Sequence, residues 1–408
     1  MIVFAREPIF TEKGRVFAYQ LTFRDGIDSA FAKTITEQTI EQSENSGVAW
    51  TELLEGYLSI ISLSFTQLMN DIPEDLSPAD TLFEIDCIEE NNEDVLTRIS
   101  ELKALGFRFV CSEKKFVNKL TLKYVDYVKV SMNRVAPMDV KKLRQQTINN
   151  NLKIIVTDVQ THENFERCKP HEFDYYQGFF FLSRKEEPTK DLPASHIAML
   201  DLISQLAKSE LDIPKINAIF EHDATLSYLL FRFINNPMVN KSHQINSIKH
   251  AINYLGEVML RKFVAIVSLT HINTGNTTEL LHVSLIRARF CELLTQHNGG
   301  KKASVSGFLT GLFSLIDVIL DRDINELMQK VTLAPEIETA LVDKKGALHD
   351  MVRLCIGFES AHWDTTFKAA GELSLSTNEA NQYFQSAIKW ANSFSIPVSK
   401  DYPVTKVR

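Results

Sequence analysis

Ala18-Tyr19-Gln20-Leu21-Thr22-Phe23-Arg24-Asp25 is the stretch on which the fold of this chain turns. Tyr19, Leu21 and Phe23 alternate with Gln20, Thr22 and Arg24. A period of two marks a β-strand with one apolar and one polar face. The simplest reading sends the polar face to solvent. A strand-like opening, Met1-Ile2-Val3-Phe4-Ala5, comes before it, followed by the short segment Arg6-Glu7-Pro8-Ile9.

Outward from there, strand-like and helix-like segments take turns. Trp50 to Leu58 has helical spacing and leads into Ser59-Ile60-Ile61-Ser62-Leu63. Thr81 to Ile85 is a second apolar run. Asn92 is placed to cap a helix through Asp94, Val95, Ile99, Leu102 and Leu105, stopped by Gly106. Phe107–Cys111, Tyr124–Val130, Lys153–Val156 and Tyr175–Phe181 are further strands. Apolar strands spaced by amphipathic helices predict a parallel sheet with crossovers, either open or closed into a barrel.

The pattern changes at Arg184-Lys185-Glu186-Glu187-Pro188-Thr189-Lys190, a charged run with a proline that reads as a linker. Beyond it the spacing is helical. Ile197, Leu200, Ile203 and Leu206 form a stripe, and Ser247 can cap Ile248 onward. Leu280–Leu294, Ser306–Leu320 and Glu379–Phe394 are further helices. The expected fold class is therefore α/β plus all-α, with domains at 1–185 and 186–408.

Composition narrows the function. A net charge of −8 over 408 residues argues against a broad nucleic-acid surface. Cys87, Cys111, Cys168, Cys291 and Cys355 are scattered with no CxxC pair, which suits a reducing compartment. The N-terminus has no apolar core of signal-peptide length. The most apolar long window, Ala303–Leu320, carries Ser304, Ser306, Thr310, Ser314 and Asp317, so it predicts a buried helix and no membrane span. A cytoplasmic protein is expected.

The first half, from residue 1 to about 185, resembles the EAL domain, the cyclic di-GMP phosphodiesterase module, with its motifs in order. The resemblance implies a shortened TIM-like (β/α) barrel. It also implies a reaction at two divalent cations held by carboxylates and an Asn, with a Lys and a Glu that position and activate water. The family's signature Glu falls on Gln20, its Asn on Ser62 and its third-strand Glu on Glu84. Its paired acids fall on Ser112 and Glu113, its Lys on Lys129, and the Asp two residues later on Ser131. Its base falls on Thr157, and Gln177-Gly178 is retained. Asp86 and Asp158 lie off register, and a one-residue shift turns a strand side chain to the other face.

Residues from about 190 resemble the HDOD domain, a helical relative of HD-type phosphohydrolases. The resemblance runs through Leu211–Pro214, His222–Asn236, Ile248–Gly256 and Gly311–Asp317. The adjacent His-Asp positions of catalytic relatives hold Ser314 and Leu315, which make no transition-metal site. His282 reads as a packing histidine, and Asp223 of His222-Asp223 as a first-turn acid.

Removing one well-aimed group from an active site typically costs about 10²–10³ in rate. The expectation from the resemblance is thus a degenerate EAL domain. That makes the chain a non-enzyme without metal or cofactor, a signalling scaffold for motility or biofilm control that binds a protein partner and is open to homodimerisation. Two alternatives stand beside it. One is a cyclic di-GMP receptor using Arg24, Lys129 and Gln177, with Arg6 pairing Glu7. The other is a residual phosphodiesterase with a metal site rebuilt from Glu84, Asp86, Glu113 and Asp158. For Arg24 and Lys129 the plain alternative is salt bridging at strand ends, and for Gln177 a capped loop.

Overall fold

The computed structural model describes residues 3–23, 54, 56–70, 72, 76–85, 93–112, 123–134, 144–145, 147–185, 192–206, 211–222, 224–235, 245, 247–273 and 277–395. The chain divides into two compact units, the first running to Ser183 and the second taking the bulk of the chain from Arg184.

The first unit is a closed barrel of eight strands in sequence order. These are β1 (Phe4–Thr11), β2 (Val16–Phe23), β3 (Leu58–Leu63), β4 (Thr81–Ile85), β5 (Arg108–Ser112), β6 (Tyr127–Ser131), β7 (Lys153–Thr157) and β8 (Tyr175–Gln177). β1 is antiparallel to both β2 and β8, and every other neighbouring pair is parallel. The expected first strand at Met1–Ala5 is corrected to Phe4–Thr11, with Arg6–Ile9 inside it. Thr11–Arg15 closes the hairpin, with Gly14 at φ +71° as the turn demands.

Alternation along each strand supplies the core. Ile9, Ala18, Ile60, Leu82, Val110, Tyr127 and Ile155, one from each of β1 to β7, meet in a single cluster, with Tyr175 of β8 packed against it. Such residues can meet only inside the closed barrel. Tyr19, Ile61, Phe83, Phe109, Val128 and Ile154, on the opposite faces, are buried as well. Burial on both sides explains the nearly continuous apolar runs. Each fully buried Ile or Leu contributes about 1.5–3 kcal/mol.

This geometry corrects the reading of β2. Its Gln20 is 7% exposed, turned into the lumen and not to solvent. Alternation reports two faces, and closure of a barrel makes one of them an interior. Among the flanking helices, Glu93–Ala104 buries Val95, Ile99 and Leu102 and ends at Gly106, φ +97°. Leu105 lies past its end and is exposed. The helix expected over Trp50–Leu58 gives way at Leu58, which opens β3; Trp50–Leu53 and Glu55 lie outside the described residues.

Every regular element described in the second unit is a helix. Ser247 caps Ile248–Ile272 by accepting the His250 N–H (3.2 Å). Ala194–Leu206 buries Leu200, Ile203 and Leu206, while Ile197 is exposed. Thr278–Phe313 is helical but folds back on itself, because a Cβ on Gly311 would lie 2.2 Å from the Arg287 carbonyl oxygen. Residues 24 apart on one straight helix would be about 36 Å apart. The two helices expected at Leu280–Leu294 and Ser306–Leu320 thus pack on each other, and Ile316–Leu320 follows as a separate short helix. Lys262 and Arg289 pair with buried Glu292 in the same core. Among the described residues no helix is long and apolar enough to cross a membrane. Cys111, Cys168, Cys291 and Cys355 are buried.

Candidate functional site

One step of two residues along each strand leads from the apolar cluster to a polar layer at the carboxyl ends of the parallel strands. Ala18 leads to Gln20, Ile60 to Ser62, Leu82 to Glu84, Val110 to Ser112, Tyr127 to Lys129 and Ile155 to Thr157. Tyr175 leads to Gln177. β1 runs the other way, so Ile9 leads back to Glu7, which lies opposite Gln20 in the ladder. The carboxyl-end face of such a barrel is where its sites are built.

Four of these side chains form a closed hydrogen-bonded ring. Lys129 Nζ donates to Gln20 Oε1 (2.6 Å) and to Glu84 Oε2 (2.9 Å). Gln20 Nε2 donates to Ser62 Oγ (3.2 Å), and Ser62 Oγ donates to Glu84 Oε2 (2.9 Å). The side chains of Lys129 and Glu84 are 9% and 13% exposed, so the ion pair is largely withdrawn from water. Removing one partner of such a pair typically costs about 3–5 kcal/mol. The ammonium leaves Gln20 Oε1 as its acceptor and directs the amide N–H groups to Ser62.

A second contact closes the β1–β8 seam, where Gln177 Nε2 donates to Glu7 Oε2 (2.5 Å). The expected Arg6–Glu7 pairing is corrected by strand geometry. Neighbouring residues face opposite sides, and Arg6 lies 4.8 Å from the Tyr19 ring centre. Burial pushes the Glu7 carboxyl above its ordinary value, nearby Asp158 adds to the rise, and Gln177 and Lys129 oppose it. Among the described residues, Gln177 Oε1 is buried without a hydrogen-bond partner. Asp158 follows β7 at φ +64°, and its carboxylate accepts from Ser131 and from Thr157 (3.5 Å). The loop is fixed by Val159 N–H to Gln177 O (3.1 Å) and by close approach of Gly178. A Cβ on Gly178 would stand 2.1 Å from the Val159 carbonyl oxygen.

The fold therefore brings Gln20, Ser62, Glu84 and Lys129 into contact and sets Glu7 and Gln177 beside one another. Ser112 lies opposite Lys129 in the β5–β6 ladder. Arg24, Asp86 and Glu113 lie outside the described residues, as does Asp223. The Gln177–Glu7 and Ser131–Asp158 contacts were missed in the sequence. The signal for the first was the two-residue step from Ile9 back to Glu7.

The cation pair implied by the resemblance does not fit the donors described. Glu84 Oε2 already accepts from Lys129 and Ser62, and Gln20 Oε1 from Lys129. Among the described residues no three His, Cys, Asp or Glu side chains stand together as a metal site. In the second unit Ser314 donates to the Gly311 carbonyl (2.8 Å) and accepts from Arg287 (3.3 Å). Leu315 is buried in the core, and His282 is 6% exposed.

The chain is similar to several known proteins. Residues 192–362 match the HDOD domain. The uncharacterised protein YuxH of Bacillus subtilis is 26% identical over 95% of this chain and 98% of its own length. The cyclic di-GMP phosphodiesterase CdgJ of Vibrio cholerae is 26% identical over 96% of this chain and 92% of its own. An EAL domain protein of Listeria monocytogenes is similar in structure over 44% of this chain and 87% of its own, at 16% identity and a TM-score of 0.34. The expectation of a non-enzyme does not stand. CdgJ, matched nearly end to end, is named a phosphodiesterase, so the residue changes at the barrel mouth do not by themselves exclude turnover.

Proposed function

For a chain of EAL–HDOD architecture, we propose a role in cyclic di-GMP signalling as a phosphodiesterase, with the barrel mouth receiving the cyclic dinucleotide. The observation that carries this reading is the Lys129 ammonium, held at the base of a polar mouth above an apolar floor. Cyclic di-GMP presents two phosphodiester anions and two flat bases. An oriented ammonium in a site shielded from water interacts with such an anion more strongly than it would in bulk solvent. The end-to-end similarity to CdgJ supports the choice of ligand.

In this reading Lys129 stabilises the charge that grows on the phosphoryl oxygens. Gln20 and Ser62 hold Lys129 and Glu84 in place. Glu7, kept more readily protonated by burial, supplies a proton within the same mouth. Gln177 orients Glu7. No step is assigned to a bound cation. The HDOD unit, whose Ser314 and Leu315 serve packing, is proposed to contact a protein partner and pass the state of the barrel on.

The test is incubation of the full chain with cyclic di-GMP, followed by chromatography for the linear dinucleotide. Product is expected, and Lys129→Met is expected to lower its rate by about 10²–10³. No product from the wild-type chain, with magnesium or manganese present, would overturn the hydrolytic reading.

A further inference from the structure

The polar ring at the barrel mouth has the layout of a cation site with the cation supplied by the protein. Lys129 Nζ lies 2.6 Å from Gln20 Oε1 and 2.9 Å from Glu84 Oε2. Ser62 Oγ bridges the same two residues, accepting from Gln20 Nε2 (3.2 Å) and donating to Glu84 Oε2 (2.9 Å). An ammonium has three donors and no acceptor. Among the described residues two of its donors are committed, to Gln20 and Glu84. A divalent ion would need the same oxygens and would sit against a like charge.

Glu84 has a second consequence. It is the only carboxylate in the ring, so it neutralises the charge that an incoming phosphate would seek. Gln20 cannot share that role, because its amide oxygen is neutral. Phosphate and Glu84 therefore compete for one ammonium.

We propose that Lys129 is the resident cation of this mouth, and that a phosphodiester of the cyclic dinucleotide docks on its ammonium without a divalent cation, with Glu84 as the internal competitor. The proposal rests on reading the mouth as a cyclic dinucleotide site. It concerns docking of the phosphodiester.

Calorimetry of cyclic di-GMP with the full chain tests it, in magnesium and in EDTA. The expected result is equal affinity within about twofold in the two conditions. Lys129→Met is expected to weaken binding by about 10–100-fold, and Lys129→Arg to retain most of it. Glu84→Gln keeps the shape and removes the competing charge, so it is expected to tighten binding by about 3–10-fold. A thermal melt of each variant reports whether it folds, and Glu84→Gln decides the matter if Lys129→Met does not. Binding that vanishes in EDTA, or that weakens in Glu84→Gln, would overturn the proposal and leave the dinucleotide site standing. No binding in either condition would overturn both.

Discussion

At the scale of single residues, Glu7 gives the sharpest consequence of the barrel mouth. Its carboxyl is buried, and burial raises it above 4.5. A raised acid binds its proton more tightly in the folded state than in the unfolded state. Its contribution to stability is therefore complete below the ordinary carboxylate value and is lost as pH rises through the folded value. Glu7→Gln keeps a polar partner for Gln177 and removes that loss. It is expected to raise the melting temperature at neutral pH. The gain should disappear as pH falls through about 4.5. Melting curves across that range read it directly. An equal gain at all pH values would assign the effect to packing and not to charge.

At the scale of elements, the junction of β7 and β8 is held by one glycine. Gly178 has φ +143°, and a Cβ there would meet the Val159 carbonyl at 2.1 Å. Gly178→Ala is expected to destabilise the barrel by about 1–3 kcal/mol and to displace the Asp158 loop. Denaturant unfolding measures the first. A substitution without cost would mean that the loop has another low-energy path.

The strands themselves were legible, because short runs rich in Ile, Leu and Val, such as Leu58–Leu63 and Lys153–Thr157, suit strands. Two things were not legible. Alternation in β2 could not say that the polar side was an interior, since that follows from closure of eight strands. Nor did local pattern place Pro8 inside β1. Pro8 there gives up a backbone donor, while its carbonyl accepts from Gly178 N–H at 3.5 Å. Of the site, the positions Gln20, Ser62, Glu84 and Lys129 could be read from motif order. Their mutual bonds could not, because they depend on side chains 109 residues apart in the chain meeting across the lumen.

At the scale of the whole molecule, the chain divides near Ser183, and its similarity to YuxH and CdgJ runs over nearly the full length of both. The sequence carried this division in its change of periodicity after Phe181, from strands to helices alone. It misled on activity, because counting lost acids assumes that the mouth must hold its charge as the family does. In this chain Lys129, Gln20, Ser62 and Glu84 satisfy one another. A crystal structure of the full chain with cyclic di-GMP is the most direct measurement of that arrangement's purpose. The account predicts a phosphodiester oxygen about 2.7–2.9 Å from Lys129 Nζ, the length of a charge-assisted hydrogen bond. A dinucleotide seated elsewhere, with Lys129 still closed onto Glu84, would contradict it.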